Sequence, residues 1–136
     1  MNNIDAEPGG GRGQMLRIIG GLAGLLLFAI GVRFLIVPED AAHTFGLAKV
    51  ITGNELSHVI GLRDLWLGAL AIAFAVLKEW RALALWFGFG VVVCWSDASI
   101  AAMSSGRAGP VIFHVVCGFA CAALAAVTWR LARNRP

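Results

Sequence analysis

The chain has 136 residues, 59% of them hydrophobic and only 14% charged, whereas soluble domains carry about 45–50% apolar and about 25% charged residues. With a mean hydropathy of +0.79, this composition excludes an ordinary soluble domain and points to a membrane protein. The formal net charge of +3 does not indicate nucleic acid as a partner, because the basic residues gather at the ends of apolar runs and form no patch interleaved with aromatics.

Residues 1–14 are polar and Gly-rich, with Pro8-Gly9-Gly10-Gly11-Arg12-Gly13 at their centre, and read as a disordered tail. The apolar run that follows is too long for the core of a signal peptide and lacks a small-x-small cleavage site. Residues 15–136 read as one domain with four apolar segments, over 15–37, 56–77, 82–103 and 111–131. Each is close to or above the ~20 residues that cross ~30 Å of hydrocarbon at 1.5 Å per residue. A spanning segment must satisfy its own backbone polar groups, so each is a helix. The fold class expected is therefore an all-α, four-helix transmembrane bundle, without an internal repeat.

The connections differ in charge. Arg12 and Arg17 precede the first helix, Lys78 and Arg81 flank the turn between the second and third, and Arg130, Arg133 and Arg135 end the chain. The other two connections carry Lys49 and Arg107. The positive-inside rule then places both termini in the cytoplasm, of a bacterial inner membrane in this reading, with Trp80 and Trp129 as an inner aromatic belt. The longest connection, residues 38–54, falls outside. Pro38-Glu39-Asp40-Ala41-Ala42 puts Pro at a helix start and acids in its first turn, and Gly46 is a terminator. A short helix lying at the outer surface is expected, then a turn at Thr52-Gly53-Asn54.

Depth follows from this topology. Arg33, His58, Asp64, Asp97 and His114 all fall within roughly 5–12 Å of the outer boundary, and the inner half has no comparable group. Membrane helices pack through small residues. Asp97 lies on the stripe Gly90, Cys94, Asp97, Ala101; His114 leads the stripe Cys117, Gly118, Cys121, Ala122, Ala125; Asp64 shares a face with Gly61, Gly68 and Ala71. All three acid–base groups are expected to point into the bundle. Arg63 lies roughly opposite Gly61 and is expected to snorkel to the headgroups or pair locally. Arg33 is off the first helix's stripe of Gly20, Gly24 and Gly31, and is expected to reach a carboxylate or to snorkel.

Ionisable groups inside a membrane are costly and mark functional positions by default. Asp97 and His114 are the candidate proton-handling pair, with Asp64 as a second carboxylate, since a carboxylate beside an imidazole raises its basicity. Arg33, His58 and Trp95 are the candidate substrate-binding residues. Isomerisation, cyclisation or epoxide opening of a small hydrophobic substrate suits such a site, with no cofactor and no metal. A non-enzymatic bundle is the alternative, in which the same polar residues form a structural network and Gly/Ala faces mediate association, including into a homo-oligomer. His114-x-x-Cys117-x-x-x-Cys121 shares one helix face, but Cys is also a common small packing residue. Three cysteines, all in apolar segments, make no disulfide framework. No serine-nucleophile motif, phosphate loop or Cys-x-x-Cys pair is present.

Arg33-Phe34-Leu35, Pro38-Glu39-Asp40-Ala41-Ala42, Phe45-Gly46 and Gly61-Leu62-Arg63-Asp64-Leu65 with Gly68 together resemble the pattern of a family of small four-helix membrane proteins, domain of unknown function 4267. Asp97 in the third helix also resembles that family, and the size is similar to that of DoxX-like bundles. The resemblance covers most of the chain from Met15 onward. It implies a four-helix integral membrane protein and supplies no activity.

Overall fold

In the computed structural model, residues 10–48 and 55–134 are described. They form five helices and no strand: α1 (Gly10–Ile36), α2 (Pro38–Phe45), α3 (Glu55–Leu77), α4 (Trp80–Ser104) and α5 (Ala108–Arg133). Four of them, all but α2, are long and apolar enough to cross a membrane. Large apolar side chains such as Leu22, Leu62, Trp66, Phe89, Val92 and Phe119 are exposed along their length, which in water would be a very large apolar surface and in lipid is the required one. The fold is an all-α bundle of membrane-spanning helices. Helix α1 starts at Gly10, inside the stretch read as a tail. The turn expected at Thr52-Gly53-Asn54 lies outside the described residues.

The bundle is built from two antiparallel pairs, α1 with α3 and α4 with α5. Glycines one heptad apart set the first pair. Gly24 sits opposite Gly68 and Gly31 opposite Gly61: a Cβ on Gly31 would lie 2.6 Å from the Gly61 carbonyl oxygen, and one on Gly68 would lie 2.5 Å from the Gly24 carbonyl oxygen. No side chain fits there, so the two backbones are in contact, the arrangement that small residues permit in membranes. In the second pair the Trp95 indole packs against Gly118, where a Cβ would come within 2.3 Å of its Nε1.

The two ends of the bundle differ. At the end holding the α3–α4 turn, Leu16, Ala75, Trp80, Leu83, Phe87 and Ala132 form an apolar core. Trp80 is buried there at 8% exposure rather than facing headgroups as an aromatic belt would, while Trp129 is exposed. Trp86 ties the two pairs together, donating from Nε1 to the Leu67 carbonyl at 3.1 Å. The turn itself is tight: Lys78 takes a left-handed conformation with φ of 60°, and the Glu79 N–H closes onto the Phe74 carbonyl at 2.9 Å, satisfying a carbonyl left over at the helix end.

The opposite end carries α2. Pro38 opens this helix, Glu39 and Asp40 fill its first turn, and Gly46 ends it at φ 112°, a backbone conformation that costs glycine nothing. Ala41 and Ala42 bury against Phe34, with Ile30 and Ile60 around them. Gly46 then seats against the other pair, where an added Cβ would meet Ala101 at 2.7 Å and Pro110 at 2.9 Å. The Ala48 N–H donates to Ser104 Oγ at 3.0 Å. Helix α2, attached covalently to α1, is thus held by α4 and α5 and spans both pairs.

Candidate functional site

Near the α2 end, three helices each bury one ionisable side chain. Asp64 on α3 is 3% exposed, Asp97 on α4 is 8% exposed and His114 on α5 is 9% exposed. Each lies on the small-residue face of its helix, as the spacing predicts. The Asp64 stripe includes Gly61, Gly68 and Ala71, the Asp97 stripe includes Ala101, and His114 is followed by Gly118.

Arg63 bridges the two carboxylates: it pairs locally with Asp64, one of the two outcomes expected for it, and it also reaches toward Asp97 on the next helix. Its Nε donates to Asp64 Oδ1 at 2.8 Å, and its NH2 lies 3.7 Å from Asp97 Oδ2. The long side chain overrides the helical phase of its Cα, and two buried carboxylates draw it inward. His114 lies within electrostatic reach of both carboxylates. Its Nε2 is 3.2 Å from the Phe45 carbonyl at the end of α2, and its ring lies 4.7 Å from the Phe45 ring, tilted by 56°. A carbonyl only accepts, so Nε2 carries the hydrogen and the tautomer is fixed.

The other candidates stand apart. Arg33 does not join Asp64 or Asp97; it pairs with Asp40 on α2 and donates to Thr44 Oγ1 at 3.1 Å. It reaches a carboxylate, but an exposed one that holds α2 to α1. His58 is exposed near the start of α3. Trp95 sits in the α4–α5 seam against Phe119, with ring centroids 5.8 Å apart, one turn along α5 from His114. Two participants were missed from sequence: the Phe45 carbonyl, which has no sequence signature, and Arg107, whose guanidinium meets His43 Nε2 at 3.1 Å and also bonds the His43 carbonyl. Among the described residues, no three His, Cys, Asp or Glu side chains are placed to hold a metal ion.

Four apolar spans joined by short connections, with ionisable groups packed between the helices, define a small multi-pass membrane protein. Residues 24–128 match the family model described as Domain of unknown function (DUF4267), and the chain belongs to that family. No curated protein and no solved structure matches the chain.

Proposed function

We propose that this chain is an inner-membrane protein of bacteria with both termini in the cytoplasm, whose polar cluster lies in the outer half of the bilayer and transfers a proton to or from a small hydrophobic substrate. One observation carries this reading: the single guanidinium of Arg63 stands between two buried carboxylates, Asp64 and Asp97. One cation against two anions leaves a negative charge in a medium of low dielectric, which is costly. A proton held at His114 Nδ1 or on a carboxyl removes that cost. Asp64 is fixed by its 2.8 Å bond to Arg63, whereas Asp97 at 3.7 Å is held more loosely. Asp97 and His114 are therefore the proton-handling pair and Asp64 the charge-fixed partner. An acid–base pair of this kind suits isomerisation, cyclisation or epoxide opening, none of which needs a cofactor. Arg33 and His58 stand at the rim of this end, and Trp95 at the α4–α5 seam, as the proposed substrate contacts.

The test uses the full chain in lipid nanodiscs. Dicyclohexylcarbodiimide modifies protonated carboxyls in apolar surroundings; it should label Asp97, and Asp97→Asn should abolish the label. Absence of any label on Asp97 or Asp64 would sink the proton-sharing argument. Native mass spectrometry of the same samples should show a co-purifying small molecule that Asp97→Asn and His114→Ala lose without a fall in melting temperature.

A structural role is the second reading, and one observation favours it. Helices α3 and α4 touch sparsely, and the Arg63–Asp97 and Trp86–Leu67 contacts are polar ties between them. On that reading, Asp97→Asn lowers the melting temperature and no bound molecule is found.

A further inference from the structure

Helix α2 lies across the polar cluster, with the Phe45 ring resting on His114. Its α1 side is fixed by Arg33, which pairs with Asp40, and by Ala41 and Ala42 packed on Phe34. Its other side is held by polar ties. The Ala48 N–H donates to Ser104 Oγ at 3.0 Å. Arg107, at the start of α5, bonds the His43 carbonyl with one guanidinium nitrogen and meets His43 Nε2 at 3.1 Å with the other. A guanidinium has donors only and keeps its charge. The Nε2 it meets is therefore a bare lone pair, and His43 is neutral with its hydrogen on Nδ1. His43 is exposed, so protons from water reach it. Protonation removes the acceptor and sets an imidazolium against the guanidinium.

From this geometry we propose that His43 and Arg107 form an acid-released latch, and that α2 is the lid it holds over His114. The latch stands on the His43–Arg107 contact and not on the proton-transfer reading. Glu39, one turn earlier on α2, and the C-terminal end of that helix both favour the imidazolium, so the released lid accepts the proton. Asp40 is occupied by Arg33 of α1. Helix α3 brings Glu55 and His58 to this end of the bundle, and α5 brings His114, beneath Phe45. The nearest charge on α4 is Asp97, two turns from the helix end and directed to Arg63. The latch is closed while His43 is neutral and opens as pH falls through the interval of about 5 to 8 in which imidazoles take up a proton. The end of α2 then lifts from α4 and α5 while Arg33 and Phe34 keep its start on α1.

The experiment takes the full chain, with 15N-labelled histidine, in lipid nanodiscs. At about pH 8 the nitrogen spectrum should contain one histidine in the Nδ1–H form, and His43→Gln should remove that signal. Between about pH 8 and about pH 5, deuterium exchange at the Ala48 amide, corrected for the pH dependence of chemical exchange, should quicken. The expected change is roughly ten- to a hundredfold, as for the loss of a hydrogen bond to a charged group. Both readouts are made on the wild-type chain, so folding defects in a variant cannot obscure them. His43→Gln keeps a neutral acceptor and should leave Ala48 protected at both pH values, Arg107→Ala should leave it fast at both, and His58→Gln should respond like the wild type. A spectrum with every neutral histidine in the Nε2–H form overturns the latch. So does a wild-type chain without the acid response, or a His43→Gln or Arg107→Ala chain that keeps it.

Discussion

Replacing Gly31 by alanine tests the backbone contact on which the α1–α3 pair rests. The new Cβ would stand 2.6 Å from both the Gly61 carbonyl oxygen and the Leu65 nitrogen, and 3.0 Å from Leu65 Cα. All three are backbone atoms and cannot swing aside. Restoring an ordinary contact of 3.4 Å needs α1 and α3 to part by about 0.8 Å. A gap of that size forfeits a quarter to a half of each dispersion contact, and for on the order of thirty atom pairs at ~0.1–0.2 kcal/mol each this removes roughly 1–2 kcal/mol. That falls within the range of about 1–3 kcal/mol for overpacked cores. Alanine also gains up to about 1 kcal/mol over glycine as a helix former, so a matched control is needed. Gly21 on the same helix has nothing within 4 Å of its would-be Cβ, and Gly21→Ala receives the propensity gain alone. Unfolding of both variants in mixed micelles by SDS titration should place Gly31→Ala about 1–2 kcal/mol below Gly21→Ala. If the two variants agree within about 0.5 kcal/mol, the usual scatter of independent sites, the helices are not in backbone contact and the reasoning is wrong.

Three further outcomes are expected in the same unfolding assay. Arg63→Gln leaves two buried carboxylates without their cation and should cost about 1–3 kcal/mol, less than a fully buried pair because Arg63 is partly exposed; adding Asp64→Asn should recover much of the loss, and a strictly additive double variant would contradict the pairing. Lys78→Gly relieves a left-handed residue at the α3–α4 turn and should stabilise by about 1 kcal/mol; a loss would mean that the Lys78 side chain contributes more than its backbone costs. Thr128 is fully buried and its Oγ1 has no hydrogen-bond partner, so the near-isosteric Thr128→Val should raise stability by about 1 kcal/mol, and a fall would reveal a partner for that hydroxyl.

Much of this protein is determined by patterns local to the sequence. Four apolar runs of spanning length become helices because hydrocarbon offers their backbones no other partner. Pro38, the acids after it and Gly46 delimit a short helix through φ preferences and terminal charge alone. The small-residue faces turn Asp64, Asp97 and His114 inward, because helical phase is fixed by 3.6 residues per turn and close approach by the lack of side-chain bulk. Three things are decided only in the tertiary structure. Which small faces meet depends on the match of Gly24 and Gly31 to Gly68 and Gly61, a relation between helices that neither helix contains. Where a long side chain ends depends on the charges within its reach: Arg63 leaves the direction of its Cα for Asp64 and Asp97, while Arg33 goes to Asp40. The hydrogen on His114 Nε2 is set by a carbonyl at the end of α2, sixty-nine residues earlier in the chain. The stretch Gly61 to Gly68 shows both kinds of information at once, its glycines and Asp64 placed by periodicity and its arginine by the carboxylates of its own helix and of the next.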